Sequence, residues 1–229
     1  MKKYRILTPI FLFLFQFTLG SFLVAQPSSL DFVYIEGLLV SRTEIPQSVW
    51  KEIMGSDPSF FKGEYLPVES ISWYEAIEFC NRLSLDQKLP VAYRIFRSEQ
   101  DPENQNPKDL LKWRVEQIPE SVGFRLPTNA EWELFAKVDQ FEHVFKVWES
   151  RQSSTRPVGG NTVNRWGLYD LGTNVSEWCW DWFDDKNIHR VFRGGNWSFT
   201  TNEPGVLLRS NSNPSSRYRF LGVRVVRNF

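Results

Sequence analysis

Two stretches of this chain repeat apolar residues at helical spacing. In "SISWYEAIEFCNRLSL", Trp73, Ala76, Ile77, Cys80 and Leu83 fall on one face, so the spacing predicts a helix that buries that face. Ser72 and Glu75 stand three apart at its start, the spacing at which each side chain satisfies a backbone donor of the other. The same grammar returns in "RLPTNAEWELFAK": Thr128 caps, Glu131 completes the box, and Trp132, Phe135 and Ala136 face inward. A third helix is expected in "EIPQSVWKEIMG", with Thr43 as its cap, Pro46 in the first turn and Gly55 at its end. "EWCWDWF" follows a period of two, with Trp178, Trp180 and Trp182 on one side and Glu177, Cys179 and Asp181 on the other. "DFVYIEGLLVSRTEI" is strand material ending in a turn, and "LGVRVVR" reads as a final strand. Residues 97–121 are polar and rich in proline and asparagine, and are expected to form a surface excursion pinned by Trp113. The pattern is α+β: short helices in the N-terminal half, then short strands joined by long loops.

Composition sharpens this picture. A length of 229 residues, 41% of them hydrophobic, suits one domain with an ample core. Ten tryptophans and nineteen phenylalanines favour a loop-rich body over a helical bundle. Residues 1–25 open with Lys2, Lys3 and Arg5, continue in an apolar run and end at Ala25, as an export signal does. The alternative is an uncleaved membrane anchor, against which Pro9, Gln16 and Gly20 speak. Residues 26–30 then form a linker and 31–229 the domain. Cleavage would leave no membrane span and place the protein in the periplasm, on the cell surface or outside the cell. Of 27 basic residues, three lie in the signal; the remaining 24 against 27 acidic give a net charge of −3. Such a body has no electrostatic footprint for nucleic acid. Cys80 and Cys179 are the only cysteines, and their places in a helix face and a tryptophan-rich strand predict buried thiols rather than a disulfide.

Five motifs, "PVESISWYEAIEFCNRLS", "GFRLPTNAEWE", "NRWGLYDLGTNVSEWCWDW", "RVFRGGNWSF" and "LGVRVVR", occur in the order and approximate spacing of the formylglycine-generating enzyme (sulfatase-modifying factor) family. The resemblance spans residues 31–227. It implies a fold related to C-type lectins, with large irregular loops. It also implies chemistry: in the enzymes a C-x4-C pair after the double glycine binds copper(I), a soft metal that needs sulfur ligands. Counted from Gly194 and Gly195, those two positions hold Phe199 and Pro204, and no cysteine follows Cys179. Copper is therefore not expected, and no catalytic residue is assigned. His143 and His189 are too few for the three-histidine iron site of the related sulfoxide synthases, and no serine stands in a G-x-S-x-G turn.

Two further sites come with the resemblance. "NRWGLYDLGTNVSEW" is similar to the family's calcium-linked loop, which makes Asn174, the Val175 carbonyl and Glu177 candidate calcium ligands. Thr173 stands where that loop has glycine, and the alternative is that Asn174 and Glu177 simply hydrogen-bond the loop backbone. The C-terminal loops, which line the substrate groove in the family, supply candidate ligand-binding residues Trp197, Phe199, Asn202, Glu203, Arg217, Tyr218 and Arg219. Aromatic and amide side chains on loops over a rigid body suit an adaptable binding face. Trp197, with Arg209 and Arg224, also fits a scaffold role. The expected function is an exported, non-catalytic binding module for a peptide, protein or glycan. The alternatives are an enzyme, or the accessory subunit of one, using chemistry not based on the cysteine pair, and a structural envelope protein.

Overall fold

The computed structural model describes residues 30–136, 153–160, 163–198 and 205–229, so the expected signal segment and His143 lie outside it. The chain enters as a hairpin of β1 (Phe32–Ile35) and β2 (Leu38–Ser41). Its two-residue turn, Glu36–Gly37, has φ of 46° and 92°, the doubly left-handed geometry that matches the twist of paired strands. β9 (Val226–Asn228), from the far end of the chain, pairs with β2 and completes a three-stranded sheet.

α2 (Trp73–Asp86) and α3 (Asn129–Ala136) start as their capping boxes predict. The Glu75 amide donates to Ser72 Oγ and the Ser72 amide to Glu75; Thr128 and Glu131 do the same. α1 departs from expectation. It spans Gln47–Met54 behind Pro46, and the Thr43 hydroxyl donates to the Glu44 carbonyl instead of capping. The reason is tertiary: Ile45 is held extended, its amide on the Val223 carbonyl and its own carbonyl accepting from Val68, so helix can begin only after Pro46. Gly55, at φ 81°, ends α1 as expected.

Residues 97–121 are more ordered than their composition suggests. β3 (Tyr93–Gln100) and β4 (Trp113–Gln117) form an antiparallel pair, and only the segment between them is irregular. Trp113 does pack inward, 5.2 Å from the Tyr74 ring. "LGVRVVR" likewise divides: β8 (Leu221–Gly222) runs parallel to β5 (Ser176–Trp182), while β9 joins the first sheet. β6 (Arg190–Arg193) and β7 (Arg209–Ser212) complete a sheet of order β7-β6-β5-β8.

β5 is the central partition. Its alternation sends Trp178 into one apolar cluster, with Trp50, Ile77, Phe79 and Leu221, and Cys179 into another, with Val40, Trp132, Phe135 and Val226. The strand is buried on both sides, which is why its second face carries Cys179 and Glu177 rather than solvated residues. Buried indoles need a polar partner. Trp73 Nε1 donates to the Cys179 carbonyl at 3.0 Å and Trp178 Nε1 to the Ile71 carbonyl at 3.1 Å, so tryptophans tie β5 to α2 and the segment before it.

Both cysteines are buried free thiols, in different clusters. Burial pushes both thiol pKa values up, and the carboxylates of Asp181 and Glu177 push Cys179 further. A thiol held protonated and out of solvent is a poor nucleophile. Thiol-reactive disulfide reagents should therefore label neither cysteine in the native protein and both in denaturant; rapid native labelling would contradict these placements.

Candidate functional site: an aromatic face beside the double glycine

Gly194 and Gly195 each answer a separate demand. Gly194 has φ 81°, and a Cβ there would sit 2.6 Å from the Leu171 carbonyl oxygen. Gly195 packs against Gly172 and Gly205, three backbones in mutual contact; a Cβ on Gly195 would overlap the Gly172 carbonyl and meet Gly205 Cα at 3.0 Å. This close approach seats the segment that follows. Asn196, buried, donates to Ser176 Oγ at 3.0 Å and accepts from the Ser198 amide at 3.1 Å, while the Trp197 amide donates to the Asn174 carbonyl at 2.9 Å. Trp197 is thereby turned outward, half-buried, its Nε1 on the Arg219 carbonyl at 2.9 Å.

The opposing wall is the loop between α1 and α2, which sequence reasoning missed. Phe60 is exposed, and Phe61 meets the Trp197 ring edge-on at 5.2 Å. Two buried polar side chains hold this loop from beneath. Gln47 Nε2 donates to the Phe61 and Pro67 carbonyls at 2.7 and 3.1 Å, and its Oε1 accepts the Gly63 amide at 3.0 Å. Glu69 accepts the Phe61 amide at 2.8 Å and the Ser70 hydroxyl at 2.6 Å. Burial raises the pKa of Glu69, and these donors work against that rise. The signal in "SFFKGEY" was two adjacent aromatics that fit neither a helical nor a strand period, between proline and glycine.

Residues 213–219 form the third side, lying across the N-terminus of α2: the Trp73 amide donates to the Pro214 carbonyl and the Ser70 amide to the Tyr218 carbonyl, both at 3.0 Å. Arg217, Tyr218 and Arg219 are exposed, as expected for surface residues. Arg217 makes a bidentate pair with Glu75, 2.8 Å on each arm. Burial pushes the Glu75 carboxyl up, but the hydrogen bonds from Arg217 and Ser72 outweigh it and hold the pKa below the usual range. Tyr218 stacks on Phe220 with ring centroids 5.0 Å apart. The Arg219 guanidinium lies 3.4 Å above the Phe60 ring. Trp197 and Arg219 thus converge with Phe60 and Phe61. Tyr218 is exposed on the same segment as Arg219, and Phe199, Asn202 and Glu203 lie outside the described residues.

The three calcium candidates sit elsewhere, and the side chains of two of them, Asn174 and Glu177, meet other partners. Asn174, at φ 62°, takes the left-handed position of its turn, so Thr173 needs no positive φ and the missing glycine costs nothing there. Its Oδ1 accepts the Arg156 amide at 2.9 Å, and its Nδ2 donates to Glu44 at 3.0 Å. The Val175 amide also donates to Glu44, at 3.2 Å. The Glu177 carboxylate is taken by Arg224, with Nη2 at 2.8 Å, and by Trp132 Nε1 at 2.7 Å. Calcium needs six or more oxygens without competing cations. Here an arginine supplies the positive charge, so these residues do not fit the ion that the resemblance implies. Among the described residues no group of three or more His, Cys, Asp or Glu side chains is placed to hold a metal. Burial, with Asp170 and Glu177 nearby, raises the pKa of Glu44 well above the usual carboxylate range. Arg209 and Arg224 are scaffold: Arg209 donates to the Phe183 carbonyl at 2.7 Å, and Arg224 is fully buried.

Short helices, three small sheets and long loops held by buried indoles define an α+β domain of the formylglycine-generating type. The model of the sulfatase-modifying factor enzyme 1-like domain matches residues 13–229, and the chain belongs to that family. It is 32% identical over 243 residues to "Chaperone protein LppX" of Paenibacillus barcinonensis, covering 91% of this chain and 87% of that one. The formylglycine-generating enzyme of Streptomyces coelicolor is 30% identical over 146 residues, 45% of this chain and 46% of the enzyme. Among solved structures, Treponema denticola variable protein 1 superposes with a TM-score of 0.72 at 31% identity, covering 84% of each chain. No helix among the described residues is long and apolar enough to cross a membrane.

Proposed function

We propose that this chain is an exported, non-catalytic member of its family that binds a polypeptide on the face built by Phe60, Phe61, Trp197, Tyr218 and Arg219. The observation that carries the reading is that an exposed ring, Phe60, and a half-buried one, Phe61, stand on a loop whose backbone is held from below by buried polar side chains, Gln47 and Glu69. Ordering large apolar groups at a surface without burying them has no folding benefit, and it lowers the entropy lost when a partner docks. The name of the relative from Paenibacillus barcinonensis favours a polypeptide over a glycan as the ligand. The sequence supports the non-catalytic part: both of its cysteines lie in the apolar clusters, and none follows Cys179.

The test is saturable binding of the full chain to a denatured, reduced polypeptide, set beside a glycan array. Phe60→Ala and Trp197→Ala should each weaken polypeptide binding by about 2 kcal/mol, roughly thirtyfold, as anchor residues do. Phe60 is exposed, so its removal should leave thermal stability nearly unchanged. Binding indifferent to both substitutions, retention on glycans alone, or conversion of a peptide cysteine to an aldehyde by the pure protein would each overturn the proposal.

A further inference from the structure

We infer that Arg219 is a single carboxylate anchor within this face, so that the polypeptide it takes presents an acidic group beside an apolar or aromatic side chain. The inference rests on the reading of the face as a polypeptide-binding surface.

Arg217 and Arg219 stand two residues apart, both exposed, and meet opposite fates. Arg217 has its fork filled, Nε and Nη2 each 2.8 Å from Glu75. Arg219 has its flat face covered by the Phe60 ring, and among the described residues no group accepts from its N–H donors. Its backbone is fixed by the Trp197 indole and its side chain by Phe60, so the guanidinium is placed before any ligand arrives. Stacking occupies the face of a guanidinium and leaves its in-plane N–H groups pointing outward, the arrangement that receives a planar carboxylate through two parallel hydrogen bonds.

The surroundings select the size of the charge. Arg217 is neutralised by Glu75, and Lys62 by Asp57 at 2.9 Å. One uncompensated guanidinium balances a singly charged carboxylate; a phosphate dianion calls for converging cations, which the described residues of this face do not supply. Phe60 (52% exposed) lies under the anchor and the edge of Trp197 meets its backbone, so the residue next to the acid would rest on rings. The chain's balanced charge, 27 basic against 27 acidic residues, gives no general attraction for acidic chains. Recognition is therefore local, and should vanish with this one side chain.

The test uses the full chain and short synthetic peptides attached through an N-terminal biotin. The peptides carry aspartate or glutamate, or their amide counterparts, beside leucine, phenylalanine or tyrosine, and each is made as a free acid and as a C-terminal amide. Acidic peptides should bind about tenfold more tightly than their amide counterparts. Arg219→Gln should bring the ratio of acid to amide affinity to about one, whatever it does to the affinity for uncharged peptides, and Arg219→Lys should restore part of that ratio. Side-chain acids that discriminate in amidated peptides place the carboxylate on a side chain; a preference confined to free acids places it at a chain terminus, and either supports the anchor. Equal binding of acids and amides, or a preference untouched by Arg219→Gln, overturns the anchor and leaves the polypeptide reading standing. If no peptide is retained, both fall.

Discussion

Replacing Arg224 by leucine should cost about 3–5 kcal/mol, enough to leave a domain of ordinary stability largely unfolded. Arg224 is fully buried, between β8 and β9. It donates to Glu177 through Nε at 2.9 and 3.1 Å, to the Ser41 carbonyl at 2.7 Å and to the Tyr169 carbonyl at 2.7 Å. One side chain thus ties β2, β5 and the segment before the Asn174 turn. Leucine would fill much of the space but strand a buried carboxylate, itself 1% exposed, beside Glu44 and Asp170. Two carbonyls would also lose their donor. The urea midpoint should fall sharply or soluble protein should disappear. Pairing Arg224→Met with Glu177→Gln should recover part of the loss, because the stranded charge goes with it. A single variant with an unchanged midpoint would show that the pair contributes little.

Gly195→Ala is the second large effect, expected at about 3 kcal/mol, the upper part of the range for overpacking. The added methyl would overlap the Gly172 carbonyl, and neither neighbour is a flexible side chain that can turn away: both are backbone. Relief requires the 194–198 segment to lift off, which carries Trp197 out of contact with Phe61. The variant should therefore lose polypeptide binding even at temperatures where it remains folded. Gly37→Ala is the matched control: a Cβ there meets nothing within 4 Å, so only the strain of its positive φ remains, about 1 kcal/mol. A Gly195→Ala protein as stable as the control, with intact binding, would refute the close-packed glycine account.

What the sequence made legible was the local part. The boxes at Ser72–Glu75 and Thr128–Glu131 close within one turn, and the period of two at Trp178–Trp182 is that of an extended strand, so α2, α3 and β5 were readable. Thr43 misled because the decision at Ile45 belongs to Val223 and Val68, both far along the chain. "LGVRVVR" reads as one strand because its period persists, yet its two ends serve different sheets around Arg224. In the 97–121 segment prolines and asparagines mark the true loop, and they masked the strand residues on either side. Of the site, the GG-W turn and the exposed 217–219 run were visible. Phe60 and Phe61 were not, since what brings them to Trp197 is a pair of buried polar side chains in neighbouring elements. Asn174 and Glu177 were visible as candidates for calcium, but the partners their side chains meet, Glu44 and Arg224, lie 130 and 47 positions away.

The placement of the last two strands governs when this protein can be finished. β2 waits for β9, β5 waits for β8, and the Phe229 amide donates to the Gly37 carbonyl at 3.0 Å, so the β1–β2 hairpin is closed by residues about 190 positions further along. Pairings over such separations are slow and come late. Neither sheet is complete until residues 221–228 have been made, and a truncation before Leu221 would leave both ajar.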